Sequence, residues 1–228
     1  VSDLYSNSMA IIHPSTYEVT GHIFIGSSTE QMIKYDDHIY VTSWSYNNKI
    51  YKINCRNDQL EDSVIVALQP NSIVLDKNNH LWVLSDGGNQ GSPVGQDTAS
   101  LTCIDPENMT VIKELKFPHI ESSPSELTIN KAKDSMLFIN GSWGSSFSNS
   151  GIIKMPVSAF IIPSEALIPE NSRLFYGLGI DPETSEIYVS DAIDYVQKGM
   201  VYRFSPAGHQ LDSFKTDIIP GVFCFKND

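Results

Sequence analysis

The chain has 228 residues, of which 41% are hydrophobic and only 18% are charged, and its formal net charge is −12. An acidic surface repels phosphate backbones, so this charge argues against nucleic acid as a partner. No apolar run approaches the ~20 residues of a transmembrane helix, and the first residues lack the basic and apolar regions of a signal peptide.

The first 26 residues contain three short segments with the composition of β-strands, at residues 3–6, 9–14 and 18–25. A four-stranded unit would need one more strand before them. We label the strands of such a unit A to D from the inside outward. The N-terminal segment is then predicted to supply strands B, C and D without strand A.

Four repeats follow, each with the same order of short apolar strands and polar turns. In the first repeat, strands B and C are residues 39–44 and 49–54, and the pattern returns about every 40 to 55 residues. Four short strands at this period are the signature of a β-propeller. We therefore predict an all-β fold, a β-propeller of four-stranded antiparallel blades, as one domain over residues 1–228. The predicted whole blades are residues 27–68, 69–121, 122–172 and 173–218.

Residues 219–228 resemble a strand A with no partners after it. Joined to residues 1–26, they would complete a fifth blade and close a ring without exposed strand edges. The other interpretation is that the chain is part of a larger propeller, in which further blades close the ring.

The loops predict which face of the propeller carries the function. The A–B and C–D turns are short, whereas the B–C loops are long and rich in aromatic, amide and glycine residues. Long aromatic loops on a rigid scaffold are typical of binding surfaces. The alternative is that the aromatic side chains fill gaps between blades and the acids cap turns. The candidate ligand-binding residues are Trp44, Tyr46, Asn47, Asp86, Gln90, Glu126, Trp143, Tyr176, Asp191, Asp194 and Tyr195.

The sequence offers no specific catalytic or metal-binding motif. It lacks an H-x-H pair, an Asp-rich calcium loop and a nucleophile elbow. Four loop acids, Asp86, Asp97, Asp191 and Asp194, could form a cation site, but their spacing is not diagnostic. We predict a protein without catalytic activity, cofactor or metal. The three cysteines are expected to be buried free thiols: Cys55, Cys103 and Cys224.

Several motifs resemble a known group of proteins. They are Thr-Glu-Gln-Met at 29–32, Val-Thr-Ser-Trp-Ser-Tyr at 41–46, Ser-Pro-Ser-Glu at 123–126, Tyr-Val-Ser-Asp-Ala-Ile-Asp-Tyr at 188–195 and Ile-Pro-Gly-Val-Phe-Cys-Phe at 219–225. The chain resembles, over essentially its whole length, the YncE-like, DUF5074-type propeller proteins of Bacteroidetes. The resemblance implies a seven-bladed propeller of which this chain is a part.

The same resemblance implies a secreted protein or lipoprotein at the outer-membrane surface. Several such proteins act with TonB-dependent outer-membrane receptors, and one branch, the BtuG-like proteins, captures cobalamin. We therefore expect a surface ligand-binding propeller, with cobalamin or another large nutrient as the ligand. The alternatives are a protein–protein interaction scaffold and an enzyme, such as a lyase or hydrolase that uses the loop acids.

Overall fold

The structure, a computed structural model, describes residues 1–142 and 150–226. Within these ranges the chain forms eighteen β-strands and no α-helix. The chain divides into two compact units, Val1–Ile120 and Glu121–Asp228. The boundary falls between the second and third predicted repeats.

The first unit contains three antiparallel sheets. A two-stranded sheet pairs β1 (Ser8–Ile12) with β2 (Val19–Phe24). Two four-stranded sheets follow, in which each strand pairs with the next along the chain. The first consists of β3 (Met32–Tyr35), β4 (His38–Ser43), β5 (Lys49–Asn54) and β6 (Gln59–Ile65), and the second of β7 (Pro70–Leu75), β8 (Leu81–Ser85), β9 (Ser100–Asp105) and β10 (Thr110–Lys116).

The second unit contains two more four-stranded antiparallel sheets with the same strand order. The four predicted repeats thus each form one four-stranded antiparallel sheet. The third repeat has the shortest outer strand, only two residues long. The strands are β11 (Ser122–Ile129), β12 (Ser135–Ser142), β13 (Gly151–Pro156), β14 (Ile168–Pro169), β15 (Phe175–Ile180), β16 (Ile187–Asp191), β17 (Lys198–Phe204) and β18 (Gln210–Ile218).

Burial follows the position of a strand within its sheet. All five residues of the second strand β8 are buried, whereas almost every residue of the outer strand β18 is exposed. A strand buried on both faces reads as a continuous apolar run, and an outer strand reads as a mostly polar one. This gradient from inner to outer strands made the repeat readable in the sequence.

The same side-chain contact joins neighbouring sheets inside each unit. In the first unit the Lys52 ammonium donates to the carbonyl oxygens of Pro106 and Glu107 at 3.1 Å, and the Tyr40 hydroxyl donates to Pro106 at 2.9 Å. In the second unit Lys154 donates to the carbonyl oxygen of Pro206 at 2.9 Å. In both cases a lysine of one strand C binds the C–D turn of the following sheet.

Two terminal strand predictions are wrong. Residues 3–6 form turns, because the Asp3 carboxylate accepts a hydrogen bond from the Tyr5 N–H at 2.8 Å and bends the chain there. Residues 220–226 form no strand; their aromatic side chains pack against Tyr188 of β16, with Phe223 at 6.0 Å and Phe225 at 5.3 Å between ring centroids.

The cysteine prediction holds in part. All three thiols are free, and Cys103 is buried within β9. Cys55 is only partly buried and Cys224 is exposed.

Candidate functional site

Three of the inner strands pair irregularly with their neighbours. The pairing of β7 with β8 and of β15 with β16 shifts register near the start of the inner strand, whereas the pairing of β11 with β12 shifts between Ser125 and Thr128, past the middle of β11. Such a bulge re-aims the residue that it leaves unpaired. The residues in these three irregular positions include Asn71, Glu126 and Tyr176. Two of them, Glu126 and Tyr176, were predicted site residues.

In the first unit the loop ends bring two predicted residues together. Trp44 follows β4 and Asp86 follows β8, and the Trp44 indole N–H donates to Asp86 Oδ2 at 2.7 Å. The Gly88 N–H donates to Asp86 Oδ1 at 2.8 Å, and the Asn71 side chain also binds the carboxylate. Burial raises the pKa of Asp86, while these three donors act in the opposite direction.

Glu30 belongs to the same group, although the sequence did not single it out. Burial, with the charge of Asp86 as the second cause, raises the pKa of Glu30 to about 7. We call Glu30, Trp44, Asn71 and Asp86 the carboxyl cluster. An acid immediately before an inner strand, at the end that carries the long loops, was the signal that could have identified Glu30.

Three other candidates of the first unit have different roles. The Asn47 side chain donates to Ser43 Oγ at 3.0 Å, and its backbone carbonyl accepts from Gln69, so Asn47 holds the B–C loop in shape. Tyr46 is 59% exposed, with a left-handed φ of 55°. Gln90 is also exposed. Tyr46 and Gln90 thus have surface to offer a ligand, whereas Asn47 supports the loop.

In the second unit two predicted tyrosines form an aromatic pair. The rings of Tyr176 and Tyr195 meet edge to face, with 5.8 Å between centroids. Tyr176 remains 40% exposed and Tyr195 remains 43% exposed. Burial is the largest cause that raises the pKa of Tyr195, and the neighbouring Tyr176 and Glu170 raise it further. The Tyr195 hydroxyl thus stays protonated at neutral pH, next to apolar ring surface.

The loop that carries Tyr195 is held by Asp191. The buried Asp191 carboxylate accepts hydrogen bonds from the backbone N–H groups of Leu174 and Ile193, both at 2.9 Å. Ile193 and Tyr195 have left-handed φ angles of 58° and 63°. A left-handed conformation is costly for a β-branched residue and persists only where surrounding contacts enforce it. Asp191 is therefore a loop-holding residue that presents Tyr195.

Three candidates remain. Asp194 is exposed, and hydrogen bonds from Gln197 and Val196 lower its pKa. Glu126 is partly buried, with a left-handed φ of 58°. Trp143 lies outside the described residues. Over residues 1–142 and 150–226, no three His, Cys, Asp or Glu side chains are grouped as metal ligands would be.

A surface groove of about 290 Å³ lies elsewhere in the first unit. It is lined by residues of β6, β9 and β10 and by Asp97, one of the four loop acids, and by none of the candidate ligand-binding residues. Its lining includes Ile65, Val66, Thr102, Val111, Glu114 and Lys116. No helix among the described residues has the length and apolarity to cross a membrane.

No known family profile matches the chain, and no curated protein matches its sequence. Many solved structures match its fold. Hydrazine synthase of Kuenenia stuttgartiensis is 14% identical with a TM-score of 0.64, and the Dos1 propeller is 13% identical with a TM-score of 0.58. The dihydro-heme d1 dehydrogenase NirN is 6% identical with a TM-score of 0.64. The fold is a β-propeller.

The matches cover 90% to 92% of this chain, but only 60% of the hydrazine synthase chain, 51% of the Dos1 propeller chain and 42% of the NirN chain. At 6% to 14% identity, these likenesses show the propeller fold alone.

Proposed function

We propose that this propeller is a non-catalytic protein that captures a large, partly polar ligand with the loop ends of its inner strands. The observation that carries the proposal is the edge-to-face pair of Tyr176 and Tyr195, whose rings stay 40% and 43% exposed while Asp191 holds the loop of Tyr195 in place. Rigidly presented, half-exposed aromatic rings are suited to ligand contact.

The ligand class that we propose is cobalamin or another large nutrient. Support comes from the resemblance of the motifs at residues 29–32, 41–46 and 188–195 to YncE-like surface propellers, one branch of which captures cobalamin. On the same ground we propose an outer-membrane surface location, in a seven-bladed protein that acts with a TonB-dependent receptor.

Isothermal titration calorimetry with cyanocobalamin tests this proposal. We expect saturable heat with the natural chain and at least about tenfold weaker binding for Tyr195→Ala, since one lost aromatic contact weakens binding by about 1–2 kcal/mol. Tyr17→Ala is the matched control, because Tyr17 is 81% exposed and lies in a C–D turn. The absence of heat with every corrinoid tested would refute the cobalamin class.

A protein-interaction scaffold is the second candidate function. It is favoured by Val196, which is 74% exposed directly beside Tyr195 and extends the aromatic surface with an aliphatic one. A receptor protein that binds the natural chain but not Val196→Asp, in the absence of any corrinoid, would support direct docking.

A further inference from the structure

A β-bulge in β10 shapes the surface groove of the first unit. Val111 pairs with Ile104 of β9, the register then shifts, and Glu114 pairs with Thr102. Because Ile104 and Thr102 are two residues apart in β9, their side chains point to the same face of the sheet, and so do those of their partners. Val111 and Glu114 are three residues apart and would lie on opposite faces of a regular strand. The bulge therefore brings an apolar and an acidic side chain of β10 to the same groove.

Lys116 adds a positive charge to the same row of side chains. It pairs with Ser100, two residues before Thr102, so Lys116 lies on the same face as Glu114. The Cα atoms of Glu114 and Lys116 are about 7 Å apart along the strand, at about 3.4 Å per residue. Neither side chain forms a salt bridge with a described residue. One negative and one positive charge therefore line the groove and are available to a ligand.

The other side chains that line the groove are largely apolar. Ile65 of β6 is 64% exposed and Val111 is 44% exposed, whereas Val66 is buried. Exposed aliphatic side chains in a groove favour an aliphatic group of a ligand. Asp97 adds a second acid, but its Oδ1 already accepts a hydrogen bond from the Thr98 N–H at 2.7 Å. The groove thus combines an apolar surface with separated charges of both signs.

We propose that this groove binds a zwitterionic dipeptide with aliphatic side chains. The ammonium group of the dipeptide binds Glu114, and its terminal carboxylate binds Lys116. Its aliphatic side chains pack against Ile65 and Val111. An extended dipeptide spans about 7 Å, which matches the spacing of Glu114 and Lys116 along β10. The groove volume of about 290 Å³ lies at the small end of ligand pockets, as suits a dipeptide. None of the candidate ligand-binding residues lines the groove, so this site is additional to the proposed loop site.

The charges of the groove select against other ligands. A peptide without a free amino group leaves Glu114 unpaired and brings a further negative charge near Glu114 and Asp97. A peptide whose carboxylate is replaced by an amide leaves the Lys116 ammonium unpaired. A dianion meets two carboxylates and a single ammonium. A ligand with one charge of each sign, held about 7 Å apart, satisfies both Glu114 and Lys116.

Isothermal titration calorimetry with leucyl-leucine tests the proposal. The natural chain should bind this dipeptide about threefold to tenfold more tightly than either N-acetyl-leucyl-leucine or leucyl-leucine amide, since each of these lacks one charge. Glu114→Gln should remove the preference over the acetylated peptide, and Lys116→Gln should remove the preference over the amide. Equal binding of all three peptides to the natural chain, or no saturable heat with any of them, would overturn the inference.

Matched controls and the apolar surface are tested in the same way. Glu18→Gln and Lys77→Gln, at exposed side chains of the same unit outside the groove, should keep both preferences. Ile65→Ser should weaken leucyl-leucine binding by about threefold or more and leave glycyl-glycine binding unchanged, because glycyl-glycine has no aliphatic side chain. An equal loss of both peptides in Ile65→Ser would contradict the apolar contact.

Nuclear magnetic resonance separates this groove from the proposed loop site. Leucyl-leucine should shift the backbone N–H resonances of Thr102 and Val111 in the natural chain and leave that of Tyr195 unchanged. Shifts confined to Tyr195 and its loop would contradict binding in the groove. Cyanocobalamin heat without leucyl-leucine heat would overturn this inference alone, and the reverse result would overturn only the cobalamin class.

Discussion

The carboxyl cluster carries the clearest chemistry at the scale of single residues. Trp44 and Asp86 are 42 positions apart in sequence, yet their side chains are joined by a 2.7 Å hydrogen bond. Asp86 is fixed by three hydrogen-bond donors, so its carboxylate in turn fixes the position of the Trp44 indole. Neither residue is therefore free to rearrange independently when a ligand binds.

We expect Glu30 to make stability depend on pH. Its pKa is 4.5 in an unfolded chain and about 7 in the folded one, so stability should fall as the pH rises from about 4.5 to 7 and then level off. Glu30→Gln should remove this loss, and its advantage over the natural chain should grow to about 1–2 kcal/mol at pH 8, after allowance for solvent screening. Urea unfolding at pH 4, 6 and 8 measures the difference.

The control for this measurement is Glu18→Gln, because Glu18 is exposed. Its effect on unfolding should be small and equal at all three pH values. An advantage of Glu30→Gln that does not grow with pH would show that Glu30 is already ionised in the folded chain at low pH.

At the scale of elements, the lysine contacts between sheets recur in both units. Lys52 is 9% exposed and binds two carbonyl oxygens, whereas Lys154 is exposed and binds one. The same contact therefore differs in strength with burial. A charge-assisted hydrogen bond contributes more where water is excluded from it.

Substitution of these two lysines tests the difference. Lys52→Met should destabilise the fold by about 1–3 kcal/mol, because it removes the lysine donor of the Glu107 carbonyl oxygen and leaves that of Pro106 with the Tyr40 hydroxyl alone. Lys154→Met should have a smaller effect, within about 1 kcal/mol. Lys116→Met, at an exposed lysine of β10, is the control for both. Equal losses for the first two variants in urea unfolding would argue against the role of burial.

The segment at residues 220–226 depends on two glycines of β15. A Cβ at Gly177 would lie 2.4 Å from the carbonyl oxygen of Gly221, and a Cβ at Gly179 would lie 2.8 Å from the Cβ of Phe223. Strand β15 can therefore approach residues 220–226 this closely only because β15 has no side chains at these two positions. The absence of side chains at these two positions lets the segment pack closely without belonging to a sheet.

We expect Gly177→Ala to displace this segment and to destabilise the chain by about 1–3 kcal/mol. The exposed Cys224 should then react faster with a thiol reagent, since its segment is held less firmly. Gly91→Ala is the matched control, because a Cβ there would meet its nearest neighbour at 3.5 Å, an ordinary contact distance. Unchanged thiol reactivity in Gly177→Ala would contradict this account.

At the scale of the whole molecule, the net charge of −12 bears on the choice of partner. We expect no retention of DNA or RNA in filter binding even at low salt, where electrostatic attraction to phosphates is strongest. A basic protein of similar size serves as the positive control. Binding that weakens steeply as salt increases would contradict this expectation, because it would reveal contacts with phosphates.

The sequence by itself determined the four-stranded repeats and which loops are proposed to meet a ligand. Apolar strands at a fixed period must bury their faces against one another, and buried strands remain recognisable as continuous apolar runs. Local signals such as an acid after strand B also identified Asp86 and Asp191. The hydrogen-bond partners of these acids could not be predicted from the sequence, because a partner such as the Trp44 of Asp86 comes from another sheet.

Only the tertiary structure decided the roles within the candidate site. Asn47 and Asp191 hold loops, Tyr176 and Tyr195 form a pair, and Glu30 joins a cluster whose other members come from distant parts of the chain. Residues 3–6 and 220–226 have the composition of strands but do not form them. The physical reason is common to all these cases: composition reports the tendency of a segment to be buried, whereas pairing, charge and protonation depend on neighbours distant in sequence.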